Sequence, residues 1–191
     1  NPWLKKARQI YAGQYKTAMD MSVLPSSYLK RARLNYAPLH YTPHHASHAA
    51  AGYYTSPFNH CAVVVLDAIG EFDCASIWEA KHGEMVKVWS KSYPHSLGLF
   101  YSAFTQALGL KPNEEEYILM GMAAYGDKHR LAERIENDFF NDTKTKINLH
   151  RGCKWWAPEL HTEQDMFDIA AATQYIYERK FKALLYKAKE I

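Results

Sequence analysis

The sequence lacks the features that mark several special classes of protein. No run of apolar residues reaches the roughly 18 that a membrane-spanning helix needs, and no signal-peptide pattern opens the chain. The net charge is only +3 and no stripe of lysines and arginines emerges, so the sequence does not indicate a nucleic-acid partner. These absences favour a globular protein whose partners include neither a membrane nor nucleic acid.

Cysteine is also scarce. The three cysteines, Cys61, Cys74 and Cys153, are odd in number and widely spaced, and no CxxC pair occurs. A disulfide framework or a cysteine-rich zinc site would need paired, closely spaced cysteines. We therefore expect a reduced, cytoplasmic setting.

The chain has the length and composition of one ordinary domain. Its 191 residues are 48% hydrophobic and 23% charged, which is typical of a globular protein with a real core. It begins with Asn1 and ends inside the helical pattern "YERKFKALLYKAKEI". We expect residues 1–191 to be one partial domain, a fragment of a longer chain, with a helical segment over 1–35.

Hydrophobic periodicity predicts alternating helices and strands. The apolar run at 60–68 predicts a buried strand, and residues 74–93 predict a hairpin around Gly83. Helices are predicted over 3–20, 26–34, 44–56, 97–108, 127–140 and 168–190, with a short strand at 37–43, a helical turn in 114–126 and irregular chain over 141–165. Strands between helices indicate an α/β class, with flanking helices and a mixed sheet that is antiparallel at the hairpin.

Three histidines lie within five residues, at His44, His45 and His48. Positions i and i+4 lie on one face of a helix, so His44 and His48 can converge on one ion, while His45 points elsewhere. Asp67 ends the predicted strand, where open α/β sheets tend to place their ligand crevices. Two histidines and a carboxylate suit iron(II), manganese or zinc with coordination positions left open.

A purely structural interpretation competes with the metal site. The chain has ten histidines, and chance alone gives on the order of half a pair with this spacing in such a chain. Asp67 also suits the start of the turn "DAIGE". From the residues alone, both interpretations stay open.

Four segments, taken together, resemble the O-carbamoyltransferases of nodulation-factor and antibiotic biosynthesis. They cover most of residues 40–175, in the family's order and spacing. They are "HHASHAAAGYYTSPF", "VVVLDAIGE", "YPHSLGLFYSAFTQALGLKPNEEEYILMGMAAYG" and "DIAAATQ".

The resemblance implies both a fold and a reaction. The family has an actin-like (sugar kinase/Hsp70-like) ATPase domain, followed by a domain that forms carbamoyl adenylate from carbamoyl phosphate and ATP. The carbamoyl group then passes to the hydroxyl of a small acceptor at a metal site. The ligands implied here are His44, His48 and Asp67, for Fe²⁺ first and Mn²⁺ or Zn²⁺ as alternatives. The resemblance leaves room for a homodimer and assigns no catalytic acid, base or nucleophile.

The resemblance also suggests residues for binding substrate or nucleotide. They are His45, Gly70, Glu71, Asn113, Glu116, Tyr117 and Gly121. The family usually reads N-x-G-E-Y-K-L-M-G-L-A-P-Y-G where this chain reads "NEEEYILMGMAAYG". Glu115 replaces a glycine and Ile118 replaces a lysine that could contact a phosphate.

Two alternatives follow from the same resemblance. The family is related to the proteins that transfer threonylcarbamoyl groups to tRNA, although the missing basic patch argues against that role. A non-catalytic homologue that acts as a binding module is the other, and Ile118 is the best argument for it. A simple HExxH hydrolase is disfavoured, because no glutamate follows His44.

Overall fold

The computed structural model describes residues 42–141, 144–145 and 156–191. The predicted helices at 3–20 and 26–34, and most of the predicted strand at 37–43, lie outside these ranges. In chain order the elements are α1 (His44–Tyr54), β1 (His60–Gly70), β2 (Asp73–Lys81), β3 (Glu84–Ser92), α2 (Leu97–Ala107), α3 (Glu116–Met122), a 3₁₀ turn (Ala123–Tyr125), α4 (Lys128–Phe139), β4 (Phe140–Asn141), β5 (Lys144–Thr145) and α5 (Glu163–Lys189).

The main sheet has three strands in the order β1-β2-β3, and both pairings are antiparallel. The predicted mixed sheet is therefore wrong for the part of the chain that the structure describes. Two-residue connections join successive strands, and such short turns force antiparallel pairing. At the β2–β3 turn, His82 and Gly83 have φ angles of 51° and 84°, as a tight hairpin turn requires.

The helices predicted within the described residues are present, with one boundary corrected. Ser96 caps α2 as predicted, because its Oγ accepts a hydrogen bond from the Leu99 amide at 3.1 Å. The last helix begins at Glu163, five residues before its predicted start, so the end of the predicted irregular segment is wrong. A capping box between Thr162 and Asp165 fixes this earlier start.

Two apolar clusters hold these elements together. The larger cluster lies among α2, α3, α4 and α5, with Phe104, Leu119, Ile135 and Ile176 fully buried. The smaller cluster joins the last part of α5 to the sheet. The long helix α5 therefore belongs to both clusters and connects the helical layer to the strands.

The side chains of β2 alternate between the two faces of the sheet, and a helix packs on each face. Ala75 and Ile77 pack with Leu184 of α5, whereas Ser76 faces α1 through a hydrogen bond to His45. This arrangement is α/β, as predicted; the actin-like architecture stays a prediction. None of the described helices combines the length and apolar content that a membrane span needs.

Candidate metal centre and an adjoining cleft

Helix α1 places two histidines on one face. It begins at His44, immediately after Pro43, whose φ of −56° suits the entry to a helix. His44 and His48 are four residues apart, so their rings lie together on the helix surface, with centroids 4.6 Å apart. Ala49, the residue after His48, is fully buried, so the histidine pair lies beside the buried face of the helix.

Strand β1 brings Asp67 to the same place. Val63 packs beneath Gly52 of α1, and the two-residue period of a strand turns Asp67 toward the same helix. The regular pairing of β1 with β2 stops at Leu66 and resumes at Gly70, so Asp67 lies in an irregular stretch of the strand. Bulges of this kind re-aim side chains and are common beside active sites.

Two hydrogen bonds fix the orientation of Asp67. Its Oδ1 accepts from the Ala68 amide at 2.6 Å, which leaves Oδ2 directed at the histidines. The Ser96 hydroxyl donates to the backbone carbonyl of Asp67 at 3.3 Å. The cap of α2 therefore also supports the strand residue that the site uses.

Three potential ligand atoms converge. The His44 Nε2 lies 2.6 Å from Asp67 Oδ2 and 3.0 Å from His48 Nε2, and the His48 Nε2 lies 3.8 Å from the same oxygen. A triangle with these edges has a circumscribed radius of about 1.9 Å, so one ion can lie at the roughly 2.0–2.2 Å that transition metals keep from such atoms. The donor set and its spacing therefore fit a metal ion.

The triad is open on one side. The exposed fractions of the His44, His48 and Asp67 side chains are 42%, 56% and 27%. Three protein ligands on an accessible surface leave coordination positions for a substrate or water, as a catalytic centre needs and a closed structural site does not. The arrangement suits Lewis-acid chemistry.

His45 lies behind the triad. It is only 3% exposed, its Nδ1 lies 2.7 Å from the Ser76 hydroxyl, and its ring contacts the position where Gly70 has no side chain. Burial lowers the pKa of His45, more than the nearby charges of Asp73 and Asp67 raise it. His45 is therefore neutral at pH 7.

A cleft of about 570 Å³ adjoins the triad of His44, His48 and Asp67. Ala68, the residue after Asp67, forms part of its wall, so the cleft opens beside the strand end that carries the ligand. Its other walls are Gly98, Tyr101, Ser102, Asn113, Glu116, Tyr117, Met120, Gln174 and Tyr177. The volume lies within the range of small-molecule sites, and tyrosines, amides and one carboxylate line it without any lysine or arginine.

Glu116 is the charged group of this cleft. Its Oε1 accepts hydrogen bonds from the Ser102 hydroxyl and from the Asn113 amide, each at 2.7 Å. Burial alone would raise the pKa of Glu116, but these two hydrogen bonds hold it below its usual value. The residue is therefore an anion at neutral pH, with Oε2 able to accept from a ligand.

The predicted site residues thus form two groups. The first contains the triad, with His45 and Gly70 behind it, and the second contains Asn113, Glu116 and Tyr117 in the cleft. Glu71 occupies the β1–β2 turn with a φ of 63°, and Gly121 lies on α3 in open space; no described contact assigns either to one of the groups.

Sequence reasoning missed several residues of both groups. Ser76 and Trp78 anchor His45, while Ser102 and Gln174 line the cleft. The one signal in the sequence was a serine with apolar neighbours on both sides, Ala75 and Ile77, inside a predicted strand. The rest depend on which elements pack together, and no local pattern carries that information.

The sequence of this chain is similar to those of known proteins. The family described as carbamoyltransferase N-terminus matches residues 5–186. The uncharacterized protein sll1178 of Synechocystis sp. is 34% identical over 156 residues, which cover 71% of this chain and 25% of that protein. The uncharacterized protein MJ1058 of Methanocaldococcus jannaschii is 36% identical over 98 residues, which cover 44% and 16%. The chain spans a quarter or less of the length of these relatives.

Proposed function

This chain belongs to the family of carbamoyltransferase N-terminal domains, and on that premise we propose that the protein is a metal- and ATP-dependent O-carbamoyltransferase. It takes the carbamoyl group of carbamoyl phosphate, by way of carbamoyl adenylate, to the hydroxyl of a small acceptor. Family membership supports carbamoyl transfer in general. The acceptor class, the adenylate route and the metal are the finer parts of the proposal.

The observation that carries the proposal is the convergence of His44, His48 and Asp67. Their ligand atoms lie within 4.8 Å of one another, although Asp67 follows His44 by 23 residues and lies on the next element of the chain. In a carbamoyltransferase, an open centre of this composition has a specific use. A Lewis acid held there supplies polarisation of the carbamoyl carbonyl or of the adenylate phosphate.

The residues of the chain have distinct tasks in this scheme. His44 and His48 supply neutral nitrogen ligands, and Asp67 supplies the negative charge that favours a divalent ion. Iron(II) is the first choice for such a set, with manganese and zinc as alternatives. Asp67 Oδ1 stays engaged with the Ala68 amide at 2.6 Å, so Oδ2 is held ready as the ligand.

The cleft is assigned to the neutral, hydroxylated part of a substrate. Glu116 accepts hydrogen bonds from hydroxyl groups, and the exposed ring of Tyr117 offers a flat apolar wall. Among the described residues, no cationic side chain lines the cleft, so they offer a phosphate no charge partner there. The sugar of a nucleotide or the hydroxyl-bearing acceptor fits this lining, and Ala68 connects it to the metal centre.

The test separates transfer from activation. In full-length protein given ATP and ¹⁴C-labelled carbamoyl phosphate, we measure pyrophosphate release and label incorporation into a panel of glycerol, a hexose and a nucleoside. We expect Asp67→Asn to keep pyrophosphate release but to lose transfer by at least about 100-fold, because a lost ligand should cost more than the 10- to 100-fold typical of its supporting residues.

Asp73→Asn is the matched control. It removes a carboxylate from the same hairpin, one that pairs with Lys87 at 2.8 Å and lies outside the triad. It should transfer as the wild type does. Equal transfer by wild type and Asp67→Asn, or no carbamoyl phosphate-dependent reaction in the wild type, would contradict the proposal.

A non-catalytic homologue remains the second candidate, and the departures Glu115 and Ile118 favour it. Glu115 precedes α3, and its carboxylate accepts from the Lys111 amide at 2.6 Å, so it has a local structural role. Ile118 is half-buried and is absent from the residues that line the cleft. Neither substitution alters the cleft lining itself, which weakens this candidate.

A further inference from the structure

The first turn of α1 is held to the sheet by a buried chain of hydrogen bonds. Trp78 Nε1 lies 2.8 Å from Ser76 Oγ, and His45 Nδ1 lies 2.7 Å from the same oxygen. An indole N–H can only donate, so the Ser76 oxygen accepts from Trp78. The serine hydroxyl is fully buried, and His45 Nδ1 is the one acceptor that the described residues offer its proton, so we assign the hydrogen bond in that direction.

This direction of hydrogen bonding fixes the tautomer of His45. When Nδ1 accepts, the ring proton of the neutral imidazole lies on Nε2. The Nε2 atom is buried and has no hydrogen-bond partner among the described residues. A buried donor without a partner is unfavourable and calls for an explanation, because a leucine would fill an apolar site without that cost.

Gly70 lies against the other side of the His45 ring. A Cβ atom at this position would lie 2.4 Å from His45 Cδ2 and 2.6 Å from its Nε2, and 2.8 Å from His44 Cδ2. Real Cβ atoms do not approach this closely, so only glycine lets the strand end lie against both histidines. His45 is thus clamped between Ser76 on one side and Gly70 on the other.

From this arrangement we propose that His45 is a positioning residue, clamped by Ser76 and Gly70, that sets His44 in its place toward Asp67. The inference rests on the proposed metal centre and extends it to residues that touch no metal.

The backbone explains how the clamp acts. His44 and His45 are adjacent, so the depth and rotation of the His45 ring fix the rotation of the first turn of α1. The far end of α1 is held separately, because the Tyr53 hydroxyl accepts from the Gly83 amide at 3.0 Å and the Tyr54 hydroxyl donates to the Gly83 carbonyl at 2.8 Å. Loss of the His45 clamp should therefore move the ligand-bearing turn while the helix stays docked.

The experiment measures metal affinity in full-length protein. Zn²⁺ dissociation constants are determined by competition with a chromophoric chelator, with the His44→Ala/His48→Ala variant subtracted for other sites. Ser76→Ala and His45→Leu should weaken Zn²⁺ binding by about 10- to 100-fold, the usual effect of removing a residue that orients a ligand. Gly70→Ala should weaken it similarly, since the new methyl group displaces both rings.

Two further variants separate positioning from general destabilisation. His45→Asn keeps a hydrogen-bonding atom near the place of Nδ1 and should bind Zn²⁺ more tightly than His45→Leu. Ser90→Ala, on the exposed part of β3, should bind as the wild type does. Thermal midpoints are recorded for every variant, and binding is measured well below them.

The outcomes distinguish this inference from the metal centre itself. Stoichiometric binding in the wild type with unchanged affinity in Ser76→Ala and His45→Leu would overturn the positioning role alone. Equal affinities for His45→Asn and His45→Leu would overturn its hydrogen-bonding basis. If the wild type and the His44→Ala/His48→Ala variant bind Zn²⁺ equally, both the metal centre and the positioning role are overturned.

Discussion

At the scale of single residues, the two candidate site carboxylates, Asp67 and Glu116, have different hydrogen-bond partners. Asp67 directs one oxygen at two histidine rings and uses the other for a backbone amide. Glu116 has no histidine beside it, and its hydrogen bonds come from Ser102 and the Asn113 amide. The first setting suits a metal ligand and the second suits an acceptor for hydroxyl groups. Residue type alone would not separate these two roles.

Cys74 gives a residue-scale prediction about pH. Burial raises the pKa of this thiol from its ordinary value of 9.0 to about 11, more than hydrogen bonding with Ser96 lowers it. The folded state therefore favours the protonated thiol. This contribution to stability is fully present below pH 9 and is lost as the pH rises toward 11; two pKa units correspond to roughly 3 kcal/mol.

Urea unfolding at pH 7, 9 and 11 checks this prediction against the variant Cys74→Ala. The wild type should lose more free energy of unfolding between pH 9 and 11 than the variant does, because the difference isolates the thiol from other groups that ionise there. Parallel pH profiles for the two proteins would show that Cys74 ionises alike in the folded and unfolded states.

The convergence of His44, His48 and Asp67 could be predicted at the residue scale, whereas the residues that support it could not. His44 and His48 follow a helical spacing, and Asp67 ends an apolar run, so each leaves a local pattern in the sequence. Ser76 and Trp78 acquire their role only because α1 packs across β2 at that point. Register between distant elements is a property of packing, and no short window of sequence contains it.

At the scale of elements, turns and caps decided where sequence reasoning succeeded. The β2–β3 hairpin and the start of α2 carry their own signals, Gly83 and Ser96, and both were predicted correctly. The start of α5 was placed too late because "HTEQD" has little apolar periodicity. Its capping box, Thr162 with Asp165, was present in the sequence and would have given the correct start.

The α5 cap provides the element-scale prediction. The Thr162 hydroxyl accepts from the Asp165 amide at 3.1 Å, so Thr162→Ala leaves an N-terminal amide of the helix without this partner. We expect the free energy of unfolding to fall by about 1 kcal/mol, the usual cost of losing such a cap. Chemical denaturation of the wild type and the variant measures it.

Ser90→Ala serves as the matched control for this cap. Ser90 is an exposed strand residue, and its substitution should change the free energy of unfolding by less than about 0.5 kcal/mol. A Thr162→Ala variant as stable as Ser90→Ala would show that the first turn of α5 does not depend on the box.

At the scale of the whole molecule, the site lies where the layers meet. Helix α1 covers one face of the sheet, α5 covers the other, and α2 begins at the end of β1 beside Asp67. Gly98 makes this junction close, because a Cβ there would lie 3.0 Å from the Ala68 Cα. The triad and the cleft therefore meet at the end of β1, which carries both Asp67 and Ala68.

The metal content of the purified full-length protein shows whether His44, His48 and Asp67 hold an ion. Elemental analysis of the wild type is compared with His44→Ala/His48→Ala and with His60→Ala, which removes an exposed histidine that lies 3.5 Å from Glu79 and outside the triad. We expect close to one iron, manganese or zinc ion per chain in the wild type and in His60→Ala, and its loss in the double variant. No bound metal in the wild type after reconstitution, or equal metal in all three proteins, would contradict it.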